Sequence, residues 1–169
     1  LSATQHPATG LLESFKASTD PSLHGVAFTY DLALAALVFT HHRTFEEARR
    51  IVEFYRSMPL PTLHVPDYNT AYGIARRLPT LEDAFQVGPV AWVAIALMRY
   101  AEATGQLIYG EKAVQLLEWV RTHLDHFHGG LVMGLREPWV SRMSVENNWA
   151  YYAALRLAIR SLSDGPLRE

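Results

Sequence analysis

Between Trp139 and Tyr152 the chain sets one carboxylate (Glu146), two amides (Asn147, Asn148), two indoles (Trp139, Trp149) and two phenols (Tyr151, Tyr152) at the entrance to an apolar helix. A packed core has little use for that much polarity. A sugar site must stack on a ring and bond its hydroxyls, and it uses these residue types. Glycoside hydrolysis generally takes two carboxylates flanking the scissile bond. Asp31 and Glu146 are the expected catalytic pair, with Glu13 and Asp67 in reserve. Tyr30, Tyr68, Asn69, Trp92, Trp139, Asn147 and Asn148 are the expected substrate-binding residues. Plainer roles compete with each. Asp31 and Glu146 are also acids in a first helical turn, where the helix dipole favours them. Either asparagine could cap a helix, and Trp92 and Trp149 could be core.

Helices must position these groups. Phe28 to His41 reads as a helix apolar on nearly every face, hence one buried on all sides. Thr44, Phe45, Glu46 and Glu47 form a capping-box pattern opening a second helix, whose apolar side is Phe45, Ala48, Ile51, Val52 and Tyr55. Val87 to Thr104 is again apolar around most of its girth, and Gly105 supplies its C-terminal stop. Gly110 to His126 is amphipathic, with a stripe of Ala113, Leu116, Leu117, Val120 and Leu124. Ser144 to Leu162 is a helix with a polar first turn and an apolar body.

The order is therefore buried, exposed, buried, exposed, buried. That describes an all-α array of antiparallel hairpins, with inner helices alternating with outer ones. Inner helices of such an array run parallel, so Tyr30 and Asp31, Gly88 to Trp92, and Ser144 to Asn148 gather at one end. The segment from Pro59 to Gln86 is a long proline-rich loop, and Tyr68 and Tyr72 within it are expected at the pocket.

Bulk properties narrow the function. The chain has 169 residues, enough for a single domain spanning 1–169 with a sizeable core. Fifteen basic residues meet 17 acidic ones, a net charge of -2 with no basic stripe, which argues against nucleic acid. There is no cysteine, so neither a disulfide framework nor a thiolate metal site is available, and both cytoplasm and periplasm fit. No apolar run is long enough to span a bilayer. His123, Asp125, His126 and His128 cluster in sequence, but histidines suit a helix end and form no tight ligand motif. No metal or cofactor is expected.

Taken together, the motifs resemble the six-hairpin glycosidase-like superfamily of α/α toroids. The resemblance rests on Thr9 to Phe15 (TGLLESF), Thr29-Tyr30-Asp31, Gly88 to Trp92 (GPVAW) and Ser144 to Tyr152 (SVENNWAYY). The last is similar to a Ser-x-Glu-His-Asn-x-Asp-x-Tyr pattern on an inner helix. Asn147 stands at the histidine of that pattern and Ala150 at the aspartate, so Glu146 keeps no second carboxylate one turn on. The resemblance implies a glycoside hydrolase-like protein acting on, or binding, an oligo- or polysaccharide. The alternative is a module that has lost catalytic residues and binds a sugar or a protein. A closed toroid needs about twice as many helices, so three outcomes stay open: a piece of a larger chain, a ring completed by a second copy (a homodimer), or an open array.

Overall fold

The computed structural model describes residues 5–61, 68, 71–73, 85–126 and 129–164. Among them lie β1 (Val26–Phe28), α1 (Thr29–His41), α2 (Phe45–Ser57), β2 (Ala71–Gly73), α3 (Val87–Thr104), α4 (Leu107–Leu124), β3 (Asp125–His126), β4 (Gly130–Leu131) and α5 (Val145–Asp164). The architecture is all-α, with two short antiparallel strand pairs, β1–β2 and β3–β4, stitching loops to the helices. No described helix is long and apolar enough to cross a membrane.

The apolar character of α3 follows from its place. It packs against α1, α2, α4 and α5. Val90, Ala91, Val93, Ala96, Leu97 and Tyr100 are buried around most of its circumference. Its end is set by Gly105 at φ 73°, whose N–H donates to Ala101 O at 2.8 Å. Only glycine takes that left-handed conformation without a Cβ penalty.

The outer helices are one-sided. α2 buries Ala48, Ile51, Val52, Phe54 and Tyr55, and α4 buries Ala113, Leu116, Leu117, Val120 and Leu124. Their solvent faces carry the ion pairs Glu46–Arg49 and Glu118–Arg121, which contribute little at this exposure. Between the two helices the Tyr109 hydroxyl donates to Glu53 Oε2 at 3.1 Å. Burial, and then that bond to a carboxylate, push the Tyr109 phenol up to about 12.

Three expectations change. α1 and α5 are not covered all round. Val38 on α1 is 54% exposed, and on α5 Trp149 and Ile159 are 65% and 61% exposed. These two are the end members of an arc centred on α3, so each has a neighbouring inner helix on one side only. The capping box at Thr44 does not form: its hydroxyl donates back to Phe39 O at 3.2 Å, and α2 has no side-chain cap. α4 begins at Leu107 rather than Gly110 and stops at Leu124, because Asp125 and His126 pair with Leu131 and Gly130.

Tyr68 and Tyr72 belong to the core. β2 pairs with β1 in the register Ala27↔Tyr72, bringing its segment against α2. Tyr68 is fully buried, stacks on Tyr55 at 6.1 Å and donates its hydroxyl to Tyr55 O at 2.7 Å. Tyr72 meets Phe54 edge-on at 5.0 Å. In both, an amphipathic ring has found a dry place for its face.

Candidate functional site

The N-terminal ends of α1, α3 and α5 meet around a cavity of about 340 Å³, within the range usual for small-molecule sites. α1 contributes Tyr30. α3 contributes Gly88, Pro89 and Trp92, with Gln86 just before it. α5 contributes Glu146, Asn147 and Ala150, with Ser144 just before it, and Met133 closes the wall. The segment between β4 and α5 is pinned there by backbone bonds. Val87 N–H donates to Met133 O at 2.9 Å, and Met133 N–H donates to Arg142 O at 2.8 Å.

Tyr30 and Trp92 meet edge to face, 5.7 Å between centroids and 85° between planes, and so form a right-angled aromatic corner. Ser144 starts α5 by accepting from Asn147 N–H at 3.2 Å, so the capping role falls to serine and not to either asparagine. The Asn147 side chain lies against Gly88, where any Cβ would overlap its amide oxygen. Asn147 is 7% exposed, and its Nδ2 is buried with no hydrogen-bond partner among the described residues.

Four expected site residues thus converge: Tyr30, Trp92, Glu146 and Asn147. Others lie elsewhere. Asp31 sits half-buried in the first turn of α1 and is not part of the described wall. Trp139 lies in the loop before α5, with the Arg142 guanidinium 5.8 Å from its ring centre, also off the wall. Tyr68 is in the core, as described. Asn148 lines a separate groove along α5, but its amide bonds the backbone of Leu131 and Ser144. Among the reserve carboxylates, Glu13 accepts from Gly25 N–H at 2.7 Å. Asn69 and Asp67 fall outside the described residues. Gln86 and Met133 were not anticipated on the wall. Gln86 precedes the first residue of α3, a position local pattern could have suggested; Met133 reaches the cavity only through the β4–α5 segment.

This array of parallel inner helices backed by outer ones has the α/α-toroid fold, present here as an arc. No protein-family model matches the chain, and no curated protein matches it by sequence. Among solved structures it is similar to an endoglucanase, a family 8 glycosyl hydrolase from Klebsiella pneumoniae, at a TM-score of 0.58 and 15% identity, over 76% of this chain and 40% of that one. It is also similar to a sugar epimerase from a ruminal bacterium, at a TM-score of 0.63 and 12% identity, over 95% of this chain and 50% of that one. At these identities the likeness establishes the fold. The chain spans half or less of the length of either structure.

Proposed function

We propose that this protein is carbohydrate-active and takes a sugar unit in the cavity at the N-terminal ends of its inner helices. The observation that carries the reading is the convergence of Tyr30, Trp92, Glu146 and Asn147, from three helices, on one cavity. An aromatic corner suits the apolar face of a pyranose, while a carboxylate and an amide suit its hydroxyls. The carbohydrate chemistry of both structural neighbours is consistent with this. The geometry supports binding more directly than hydrolysis. Glu146 is the one carboxylate among the described wall residues, and a two-carboxylate mechanism would draw its partner from Asp31.

A panel of oligosaccharides tested by titration calorimetry and by release of reducing ends checks the reading. Binding of at least one member is expected, and Glu146→Gln should weaken it about threefold to tenfold by removing a charge-assisted acceptor. If turnover is found and Glu146→Gln leaves it unchanged, Glu146 is not the acid or base. A panel with no binder at millimolar concentration would end the carbohydrate reading.

The edge of the arc supports a second feature of the same reading, association with a further copy. Val145, Trp149, Tyr152 and Ile159 lie exposed along one side of α5. α1, at the other end, exposes Tyr30 and Val38. Two copies could close a ring by setting each α5 beside the other's α1, a closed two-fold arrangement. Patches of this kind on a soluble protein drive association. Light scattering should therefore give a dimer that Trp149→Asp dissociates. A monomer at all working concentrations removes the second copy.

A further inference from the structure

We propose that a groove between α3 and α5, distinct from the cavity, is a second ligand site, and that it binds the carboxylates of an acidic sugar chain. The proposal rests on the carbohydrate reading above and extends it to a surface which that reading does not use.

The groove encloses about 760 Å³, and three guanidiniums line it: Arg99 from α3, Arg156 and Arg160 from α5. No carboxylate is among its described lining residues. Trp149 and Tyr152 complete it, edge to face at 5.8 Å and 90°. Arg99 stands two helical turns past Trp92 on the same face of α3, so the groove lies about 10 Å further along the inner helices than the cavity. It reaches from α3 to α5 and so opens on the concave side of the arc. A second copy at the edge of α5 would border it rather than fill it.

Plain structural roles do not account for these charges. Arg156 and Arg160 are spaced i, i+4 on α5, where like charges repel and destabilise a helix. The helix dipole favours cations in the last turn, and the last turn of α5 carries none. Glu102 meets one guanidinium of the three, its Oε2 accepting from Arg99 Nη1 at 2.8 Å. Its Oε1 accepts from the buried Ser161 hydroxyl at 2.8 Å, so Glu102 acts as a strut between α3 and α5. That bond orients Arg99 through one of its five donors and leaves others for a ligand.

The chemistry of the lining selects the ligand. A carboxylate fits a guanidinium fork with two parallel hydrogen bonds. The apolar face of a pyranose fits an indole or a phenol ring. A uronate carries both features on one ring, and Arg156 and Arg160, one turn apart, can each take one unit of a chain.

The test titrates a galacturonate pentamer and a β-1,4-linked glucose pentamer into the protein by calorimetry, at about 20 mM and about 200 mM salt. The variants are Arg156→Gln with Arg160→Gln, Arg156→Lys with Arg160→Lys, and Arg121→Gln on the solvent face of α4 as a control. Galacturonate is expected to bind the wild type at low salt and several-fold more weakly at high salt. The double Gln variant should lose about tenfold, and the double Lys variant less, since it keeps the charge without the fork. Arg121→Gln should change nothing. Thermal melts show that each variant is folded, and the Lys pair carries the test if the Gln pair is not.

No galacturonate binding at low salt overturns the site, as does wild-type affinity in the double variants. An equal loss in Arg121→Gln also overturns it, because diffuse charge would then suffice. The glucose pentamer separates the two readings. Its binding should be the same in the double Gln variant and the wild type, and an equal loss there overturns the assignment to carboxylates. If galacturonate binds through the arginines while the glucose pentamer does not bind, the groove stands and the reading of the cavity loses its support.

Discussion

Gly88→Ala is expected to weaken ligand binding in the cavity by more than about tenfold and to lower stability by about 1–3 kcal/mol. The two halves of this result have different causes. A methyl at position 88 would overlap the Asn147 amide oxygen, and the amide must rotate away. The added carbon with the displaced side chain then fills space that a sugar would occupy. On the stability side, crowding a buried side chain costs about 1–3 kcal/mol, and because Gly88 lies in the first turn of α3 the helix-interior advantage of alanine over glycine offsets little of it. Calorimetric titration with whichever oligosaccharide binds the wild type, alongside a thermal melt, reads both. Wild-type affinity in a folded Gly88→Ala protein would separate the cavity from the binding site.

Asn148→Ala should cost about 2–4 kcal/mol, seen as a fall in Tm of roughly 5–12 °C. The reason lies in the strand pair beside it. Val132 N–H donates to Leu124 O at 3.1 Å, so the next facing pair, Asp125↔Leu131, occupies the non-hydrogen-bonded site of the antiparallel ladder. The N–H and C=O of Leu131 therefore point away from β3. Asn148 meets both: Oδ1 accepts from Leu131 N–H at 2.8 Å, and Nδ2 donates to Leu131 O at 3.0 Å. Nδ2 also donates to Ser144 O at 2.9 Å, at the start of α5. Truncation would orphan backbone groups of a residue that is 5% exposed. Asn148→Asp should cost at least as much, because a carboxylate oxygen would then face two carbonyls. Loss of amide-exchange protection at Leu131 would confirm the cause. A Tm change below about 2 °C would show that water replaces the clamp.

Much of the scaffold was legible in the residues. α3 runs over the span its apolar pattern predicts and stops at the glycine that local geometry requires. The stripes of α2 and α4 face the core as their spacing implies. The gathering of Tyr30, Trp92, Glu146 and Asn147 also followed from sequence, because alternating buried and exposed helices force inner helices to start at one end. Asn148 was less readable. It stands beside Asn147 with the same chemistry, but the next residue on a helix points about 100° away, and that rotation turns one amide to the cavity and the other to a strand. Tyr68 and Tyr72 looked like pocket residues because they lie in a long loop, yet Tyr72 pairs in the β1–β2 ladder and packs on Phe54, and Tyr68 bonds Tyr55, both on α2.

Sequence alone determined what short-range rules control: the span of α3, the turn at Gly105, the alternation of inner and outer helices, and the end of the array that carries its polar and aromatic residues. Tertiary structure decided which of those residues share a space. It left Asp31 off the wall, tied Asn148 to Leu131 and Ser144, buried Tyr68, left Asn147 Nδ2 without a partner among the described residues, and exposed one side of α5. The physical reason is that periodicity reports which face of an element is apolar, whereas the partner each face meets depends on contacts between segments far apart in the chain.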